Sequence, residues 1–148
     1  DGGGVAAADG ECGRLATAAG LAGSDWKAVL STASTPAYLH ISPPSNMLLF
    51  NTKGDFLSAS LIVSPNLAHP IRYDENANDV GAAFVWTGTE VSGASSVDNC
   101  DDFTRASGGF EDGPDGTLGL ASVSNSGWIY FGTGVQCRTL ARLYCISQ

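Results

Sequence analysis

The N-terminal part of the chain carries a helical pattern of small apolar residues. Over residues 5–19, apolar positions recur at intervals of three and four, the period of an amphipathic helix. This stripe consists of Ala8, Cys12, Leu15, Ala16 and Ala19. Gly10 and Gly13 weaken the prediction, because each costs up to about 1 kcal/mol of helix stability relative to alanine. Gly20 is the expected C-terminal stop.

A second short helix is predicted to begin at Ser24, since serine is a favourable N-cap residue. The residues that would form it include Trp26, Ala28, Val29 and Leu30. The two N-terminal segments together therefore predict a pair of helices before any strand.

Short apolar runs later in the chain predict strands, separated by long polar segments. The runs cover residues 47–50, 83–86, 127–131 and 140–146. In the last run, Ala141, Leu143 and Cys145 alternate with Arg142 and Tyr144, the pattern of a strand with two different faces. With no repeat and no interdomain linker, residues 1–148 are expected to form a single α+β domain.

The length and net charge of the chain argue against several classes of binding partner. The chain has 148 residues, 43% of them hydrophobic, and a formal net charge of −8 at pH 7. The negative charge argues against nucleic acid or an anionic membrane as partner, and no apolar run approaches the roughly 18–20 residues of a membrane span. The sequence starts at Asp1 without a leader or an initiator Met, so we expect a mature or trimmed chain.

The four cysteines, Cys12, Cys100, Cys137 and Cys145, contain no C-x-x-C pair, and neither histidine lies near them. Zinc sites of the finger or ribbon type need closely spaced ligand pairs, so disulfides are the better interpretation. Three pairings are open at this point. Because disulfides persist outside the reducing cytosol, a secreted or cell-surface location is expected.

Several short motifs resemble a known family. Residues 19–23, followed by residues 27–31, resemble the end of the first helix and the second helix of endostatin, the C-terminal domain of certain collagens. Residues 85–89 look like the tryptophan–glycine strand of that domain and of C-type lectin-like domains in general. The whole chain is similar to bacterial endostatin-like, C-type lectin-like domains of leptospiral and myxobacterial surface proteins. Their motifs recur here at residues 9–12, 18–23, 27–31, 69–71, 85–89 and 142–145.

The resemblance implies a C-type lectin-like fold with nested disulfides, Cys12–Cys145 and Cys100–Cys137. It also implies two N-terminal helices, short twisted antiparallel strands and long loops. Members of the family usually begin with a short strand before the Gly2-Gly3 pair, whereas this sequence begins after it. If that strand is missing, a sheet edge is open for pairing with another chain.

The residues that form the best-known ligand sites of these domains are not found in this sequence. The calcium- and sugar-binding triplets Glu-Pro-Asn, Gln-Pro-Asp and Trp-Asn-Asp do not occur. No histidine precedes His40, and the five arginines are scattered, so the zinc and heparin sites of endostatin are not expected. The relatives suggest adhesion to host matrix or serum proteins, which is an inference by association.

Acidic residues are the most suggestive local chemistry. Ten of the fifteen carboxylates lie between Asp74 and Asp115, with Arg105 as the single basic residue there. An EF-hand is not expected after Asp74, because Val85 stands where the bidentate Glu would be. An irregular Ca²⁺ site is one interpretation, and a solvated acidic surface is the other. The candidate ligands are Asp98, Asp101, Asp102, Glu111, Asp112 and Asp115.

Among the aromatic residues, Trp86 and Trp26 are expected in the core. Trp128, with Tyr130 two residues later, is the best of the three tryptophans as an exposed sugar-binding platform, although a core position is the favoured interpretation for it as well. His40 and His69 are isolated, so structural roles are expected for both.

Catalytic motifs are absent from the sequence: there is no G-x-S-x-G, no H-E-x-x-H and no P-loop. We therefore expect a non-catalytic extracellular module, with no required cofactor and Ca²⁺ as the one candidate. It would bind a matrix glycoprotein or a glycan through the long loops between Trp86 and Cys137. The alternative is a structural subunit of an extracellular filament or surface assembly, with self-association. An ice- or mineral-surface binder is a third hypothesis.

Overall fold

The computed structural model describes residues 3–42, 44, 47–60, 65–105 and 115–147. Within these residues the chain forms a mixed α/β structure with small antiparallel sheets and two disulfides. The first element, helix α1, spans Gly4–Ala18 and buries Cys12 and Ala16. It is the predicted N-terminal helix.

Helix α1 ends as the sequence indicates. Gly20 has a positive φ of 69°, a conformation that glycine adopts without the Cβ penalty. The N–H of Gly20 donates to the carbonyl of Thr17 (3.1 Å), and the N–H of Leu21 donates to that of Ala16 (3.0 Å). This pair of bonds is a Schellman motif, which satisfies carbonyls at the helix end.

The second predicted helix is wrong. Trp26–Ala28 is strand β1, which pairs antiparallel with strand β7, Cys145–Ser147. Four consecutive residues, 28–31, are buried. Ala28 and Leu30 face one hydrophobic cluster, while Val29 faces the other. An extended chain can bury successive side chains on opposite faces, whereas an amphipathic surface helix keeps one side polar. In the described residues α1 is the only helix of seven or more residues; the short helix α2 spans Ala37–Ile41.

Two further sheets complete the described structure. Strands β2 (Leu49–Phe50) and β3 (Phe56–Ser58) form a two-stranded sheet, and β4 (Phe84–Trp86), β5 (Asp115–Leu120) and β6 (Gly132–Gln136) form a three-stranded one. The strands predicted at residues 47–50 and 83–86 are therefore present in shortened form. Of residues 140–146, only the end belongs to a strand, β7.

The strand predicted at residues 127–131 is wrong. Ser126–Trp128 forms a turn of 3-10 helix, capped by the Asn125 side chain, which accepts the N–H of Gly127 (3.0 Å). This turn directs Trp128 into the core, where its indole N–H donates to the carbonyl of Pro65 (2.9 Å).

Two hydrophobic clusters hold the elements together. The first is centred on Ile41, Val85 and Trp128, and the second on Cys12, Trp86 and Leu118. The C-terminal segment separates them, because Tyr144 and Ile146 belong to the first cluster while Ala141 and Leu143 pack against the second. The predicted alternation is present, but Tyr144 is buried and does not share the exposure of Arg142.

The disulfides are nested. Cys12 pairs with Cys145, with the Cα atoms 5.5 Å apart, and Cys100 pairs with Cys137, with the Cα atoms 5.6 Å apart. The outer bridge joins α1 to β7, and the inner bridge fixes the loop before β5 to the segment after β6. Within the described residues, no helix combines the length and apolar character needed to cross a bilayer.

Candidate functional site

Three of the acidic residues predicted as calcium ligands have separate structural partners. The Asp98 carboxylate accepts a bond from the Thr133 hydroxyl, Asp101 pairs with Arg105 (3.1 Å), and Asp102 accepts the N–H of Ala33 (2.6 Å). In the described parts of the chain, no group of three or more His, Cys, Asp or Glu side chains could hold a metal ion.

The remaining predicted ligands are distributed differently. Asp115 begins β5, and its backbone carbonyl accepts the N–H of Cys100 (2.9 Å). Glu111 and Asp112 lie outside the described residues. The structure therefore does not bring Asp98, Asp101, Asp102 and Asp115 together as one ligand set.

A left-handed turn lies at the centre of this loop region. Residues 100–103 all have positive φ, between 55° and 57°, although none is glycine. Such conformations cost on the order of 1 kcal/mol or more per residue and persist only where the surroundings enforce them. Here the Cys100–Cys137 bridge holds one end, and the carbonyl of Phe103 accepts the N–H of Gly4 (3.1 Å) at the other.

Buried hydroxyl groups hold the loop before this turn. The Thr117 hydroxyl on β5 contacts the Ser96 hydroxyl (2.8 Å) and the carbonyl of Asp98 (3.0 Å). The Ser31 and Thr89 hydroxyls are 2.7 Å apart, and Thr87 donates to the carbonyl of Ile129 (2.7 Å). Because all these side chains are buried, the loop is joined to the rest of the chain by hydrogen bonds in its interior.

Trp128 is not an exposed platform. Only 2% of the residue is exposed, and its ring packs against Tyr144 with centroids 5.6 Å apart. Tyr130 is half-buried and packs against the first cluster. The core position favoured for Trp128 is therefore confirmed, and the alternative of an exposed Trp128–Tyr130 surface does not hold for Trp128, because the 3-10 turn points the indole inward. Trp86 lies in the second cluster and Trp26 packs against it.

Both histidines have partners within the chain. His40 Nε2 lies 3.0 Å from Asp9 Oδ1, and the same carboxylate oxygen accepts the N–H of Ala28 (2.8 Å). His69 Nδ1 lies 2.8 Å from the carbonyl of Phe56. The Asp9 carboxylate thus joins α1, β1 and α2, a structural role in keeping with the position of His40 between elements.

A cavity that the sequence did not predict is lined by residues from both the N-terminal and the C-terminal parts of the chain. Its volume is about 600 Å³, and it lies between α1, β2, the loop around Tyr73 and the C-terminal segment. Most of the side chains that line it are apolar, and the outer disulfide forms part of its wall. The lining residues come from segments far apart in the sequence, between Glu11 and Ser147, so no local motif predicts the cavity.

Charged groups surround this cavity. Glu11, Asp74 and Glu75 contribute to its lining, together with Arg142. Backbone N–H groups of Asn76 and Asn78 donate to Asp74 (2.9 and 2.8 Å), and bonds from these residues lower the pKa of Asp74. A side-chain bond from Arg14 lowers the pKa of Glu11. Both carboxyl groups therefore stay ionised at neutral pH.

Comparison of the sequence with family models gives no match, and comparison with curated proteins gives none either.

Proposed function

We propose that the protein is a non-catalytic extracellular recognition module of the C-type lectin-like, endostatin-like kind. It binds a matrix glycoprotein or a glycan through the irregular loops between Trp86 and Cys137, and it requires no cofactor. Secretion or a cell-surface location fits the two disulfides, because such bridges persist in oxidising compartments.

The observation that carries this function is the buried hydroxyl network beneath the loop. Thr87, Thr89, Ser96 and Thr117 are each no more than 3% exposed, and they join the loop to the sheet through their hydroxyls. Loops held by a rigid scaffold are the usual site of recognition, because they present a surface without ordering on binding.

The fold part of the proposal draws on the nested bridges, the long N-terminal helix and the pairing of an early strand with the last one. The motif at residues 85–89 also supports the fold assignment. Val85 belongs to the first hydrophobic cluster and Trp86 to the second, so this strand connects the two clusters. A crystal structure that superimposes on C-type lectin-like domains would support the assignment, and a different strand order would contradict it.

The function is tested by a glycan and matrix-protein array probed in millimolar Ca²⁺ and again in EDTA. We expect binding that EDTA does not abolish, because Asp98, Asp101 and Asp102 already have separate partners. Binding lost in EDTA would restore the calcium hypothesis for the acidic loops. No binding to any glycan or matrix protein would contradict the proposal.

A loop variant locates the binding surface. Thr117→Val removes the hydroxyl that joins Ser96 and Asp98 to β5, so binding to any array component should weaken with loss of loop order. Thr139→Val, which removes a threonine hydroxyl outside this network, is the matched control. Equal binding by both variants would place the surface elsewhere.

The structural-subunit hypothesis draws on a separate observation. Phe84 and Phe131 are 44% and 55% exposed, with ring centroids 6.0 Å apart, and they form an apolar pair on the three-stranded sheet. Light scattering after size exclusion tests this candidate. Assemblies that dissociate in Phe131→Ser would favour it, and a monomer at micromolar concentration would oppose it.

A further inference from the structure

The cavity beside α1 has the form of a small-molecule site. Its volume of about 600 Å³ lies within the roughly 300–1,000 Å³ typical of ligand pockets, which are concave and mostly apolar. Leu15, Leu21 and Ile71 line it with aliphatic surface. Filling it with an apolar group would remove that surface from water, which is the main favourable term in binding of this type.

The mouth of the cavity is also apolar. Leu48 and Phe50 line the cavity and are 58% and 54% exposed. The Phe50 ring makes an edge-on contact with Phe56, with centroids 5.8 Å apart, which holds the aromatic side of the mouth in place. A bound apolar group would thus contact both the interior and these exposed side chains.

The charged groups around the cavity favour apolar ligands that carry a positive charge. Three carboxylates, those of Glu11, Asp74 and Glu75, line it against one guanidinium, that of Arg142. Arg14 forms an ion pair with Glu11 (2.6 Å) and its charge also acts on Glu75, while the charge of Arg142 acts on Asp74. Three carboxylates against these two guanidinium groups leave one net negative charge to attract a ligand cation. The formal net charge of −8 acts in the same direction.

We propose that this cavity binds a small amphipathic cation: an alkyl or aryl amine whose apolar body occupies the cavity and whose ammonium group lies beside Asp74 and Glu75. This site is separate from the loop surface proposed above, and it does not depend on glycan or matrix binding. No covalent step is involved.

Three probes with the same alkyl chain test the proposal: decylammonium and decanoate below their critical micelle concentrations, and decanol below its solubility limit. Calorimetry should give one site for decylammonium and affinity at least about tenfold lower for decanoate, since opposite and like charges at a partly exposed site differ by one or more kcal/mol. Decanol should fall between them. Failure of all three probes to bind, or equal affinity for the cation and the anion, would overturn the proposal.

A blocking variant locates the site. Ala22 lines the cavity and is itself exposed, so Ala22→Trp can fill the mouth without disturbing the core. It should abolish decylammonium binding, whereas Ala22→Ser should retain it. Unchanged binding by Ala22→Trp, with circular dichroism like that of the parent chain, would show that the amine binds elsewhere.

A charge variant tests the cation preference. Glu75→Gln should weaken decylammonium about two- to fivefold, the range of exposed charge pairs, while decanol affinity stays the same. Glu90→Gln makes the same change outside the cavity lining and should leave both affinities unchanged. Equal weakening by the two variants would mean that net charge, and not this site, attracts the amine.

Trp26 gives an independent readout. It lines the cavity, whereas Trp86 and Trp128 are not part of its lining. Decylammonium should therefore change the tryptophan emission of the parent chain and leave that of Trp26→Phe unchanged. A full response in Trp26→Phe would contradict binding in this cavity.

Discussion

The acidic loop side and the cavity side of the molecule differ in what their side chains contact. On the loop side, carboxylates such as those of Asp98 and Asp102 and the hydroxyl of Thr117 on β5 form hydrogen bonds with the chain itself. On the cavity side, Leu48 and Phe50 expose apolar surface beside an unfilled volume. The first arrangement stabilises a loop, whereas the second leaves surface that a ligand can bury.

This difference shows that acidic residues in the sequence do not by themselves mark a binding site. Asp98 and Asp102 were candidate metal ligands because they lie in an acid-rich region, yet each carboxylate accepts a hydrogen bond from the chain itself. The apolar residues of the cavity carry no motif, but they meet in space with side chains left uncovered. What distinguishes the two sides is that the loop side uses polar side chains to order its own backbone, whereas the cavity side keeps large apolar side chains exposed.

The largest effects should come from the disulfides, one of which belongs to each side. Loop-closure entropy predicts losses of about 5 kcal/mol for the Cys12–Cys145 bridge and about 4 kcal/mol for the Cys100–Cys137 bridge, because their separations are 133 and 37 residues. Paired Cys→Ala variants, unfolded in urea, would measure both losses.

Hydrogen exchange would show which segments of the chain each disulfide stabilises. Removal of Cys100–Cys137 should raise exchange at residues 100–103, since the bridge holds one end of the strained turn. Removal of Cys12–Cys145 should act mainly on α1 and β7, which that bridge joins. Uniform changes across the chain in both variants would show that the two sides unfold as one unit.

Loss of one hydroxyl should destabilise the loop side by a smaller amount. Thr117→Val leaves Ser96 and the carbonyl of Asp98 buried with one partner fewer, which should lower the free energy of unfolding by about 1–3 kcal/mol. Denaturant titration measures the change, with Thr139→Val as the matched control. No loss of stability would mean that a water molecule replaces the hydroxyl.

Local patterns predicted some elements well, and the reasons lie in particular residues. The period of Ala8, Cys12 and Ala16 predicts α1 because the helix buries one stripe, and Gly20 marks its end. Residues 26–30 predict a helix wrongly because a short apolar run buried on both sides has no diagnostic period. The nested disulfide pairing was predicted from the family resemblance. The spacing of the four cysteines alone left three pairings open.

Strand β5 and the cavity were missed for a different reason. β5 contains Gly116 and Gly119, which lower strand propensity, yet a Cβ at Gly116 would collide with the Trp86 ring and one at Gly119 with the carbonyl of Trp128. Their role depends on neighbours far away in sequence. The same holds for Trp128 itself, whose burial depends on a turn and on Pro65.

A stabilising change is expected on the cavity side. Tyr144 is 5% exposed, and its hydroxyl is buried without a hydrogen-bond partner in the described structure; this burial raises the pKa of Tyr144. Tyr144→Phe keeps the ring against Trp128 and removes the unsatisfied group, so the free energy of unfolding should rise by about 1 kcal/mol.

Thermal and urea unfolding would measure this gain. Tyr130→Phe, at a half-buried tyrosine near the same cluster, is the control and should change stability less. A loss of stability in Tyr144→Phe would show that its hydroxyl has a partner in solution, such as a bound water.

The smallest effect should appear in acid, at the loop beside the cavity. Arg72 bonds to the Asp79 carboxylate, which also accepts the N–H of Gly81 (2.8 Å), and these bonds lower the pKa of Asp79. A carboxyl whose pKa is lower in the folded state stabilises the fold above its unfolded pKa, about 3.9 for aspartate. That contribution is lost as the pH falls through the folded value.

Asp79→Asn should therefore reduce stability slightly at neutral pH, and the difference from the parent chain should disappear below the folded pKa of Asp79. Urea unfolding at several pH values from neutral to strongly acidic measures this convergence, and Glu90→Gln controls for the change in net charge. Because the pair is exposed, salt should diminish the effect. A difference that persists undiminished in acid would assign the effect to local packing at the cavity rim and not to the ion pair between Arg72 and Asp79.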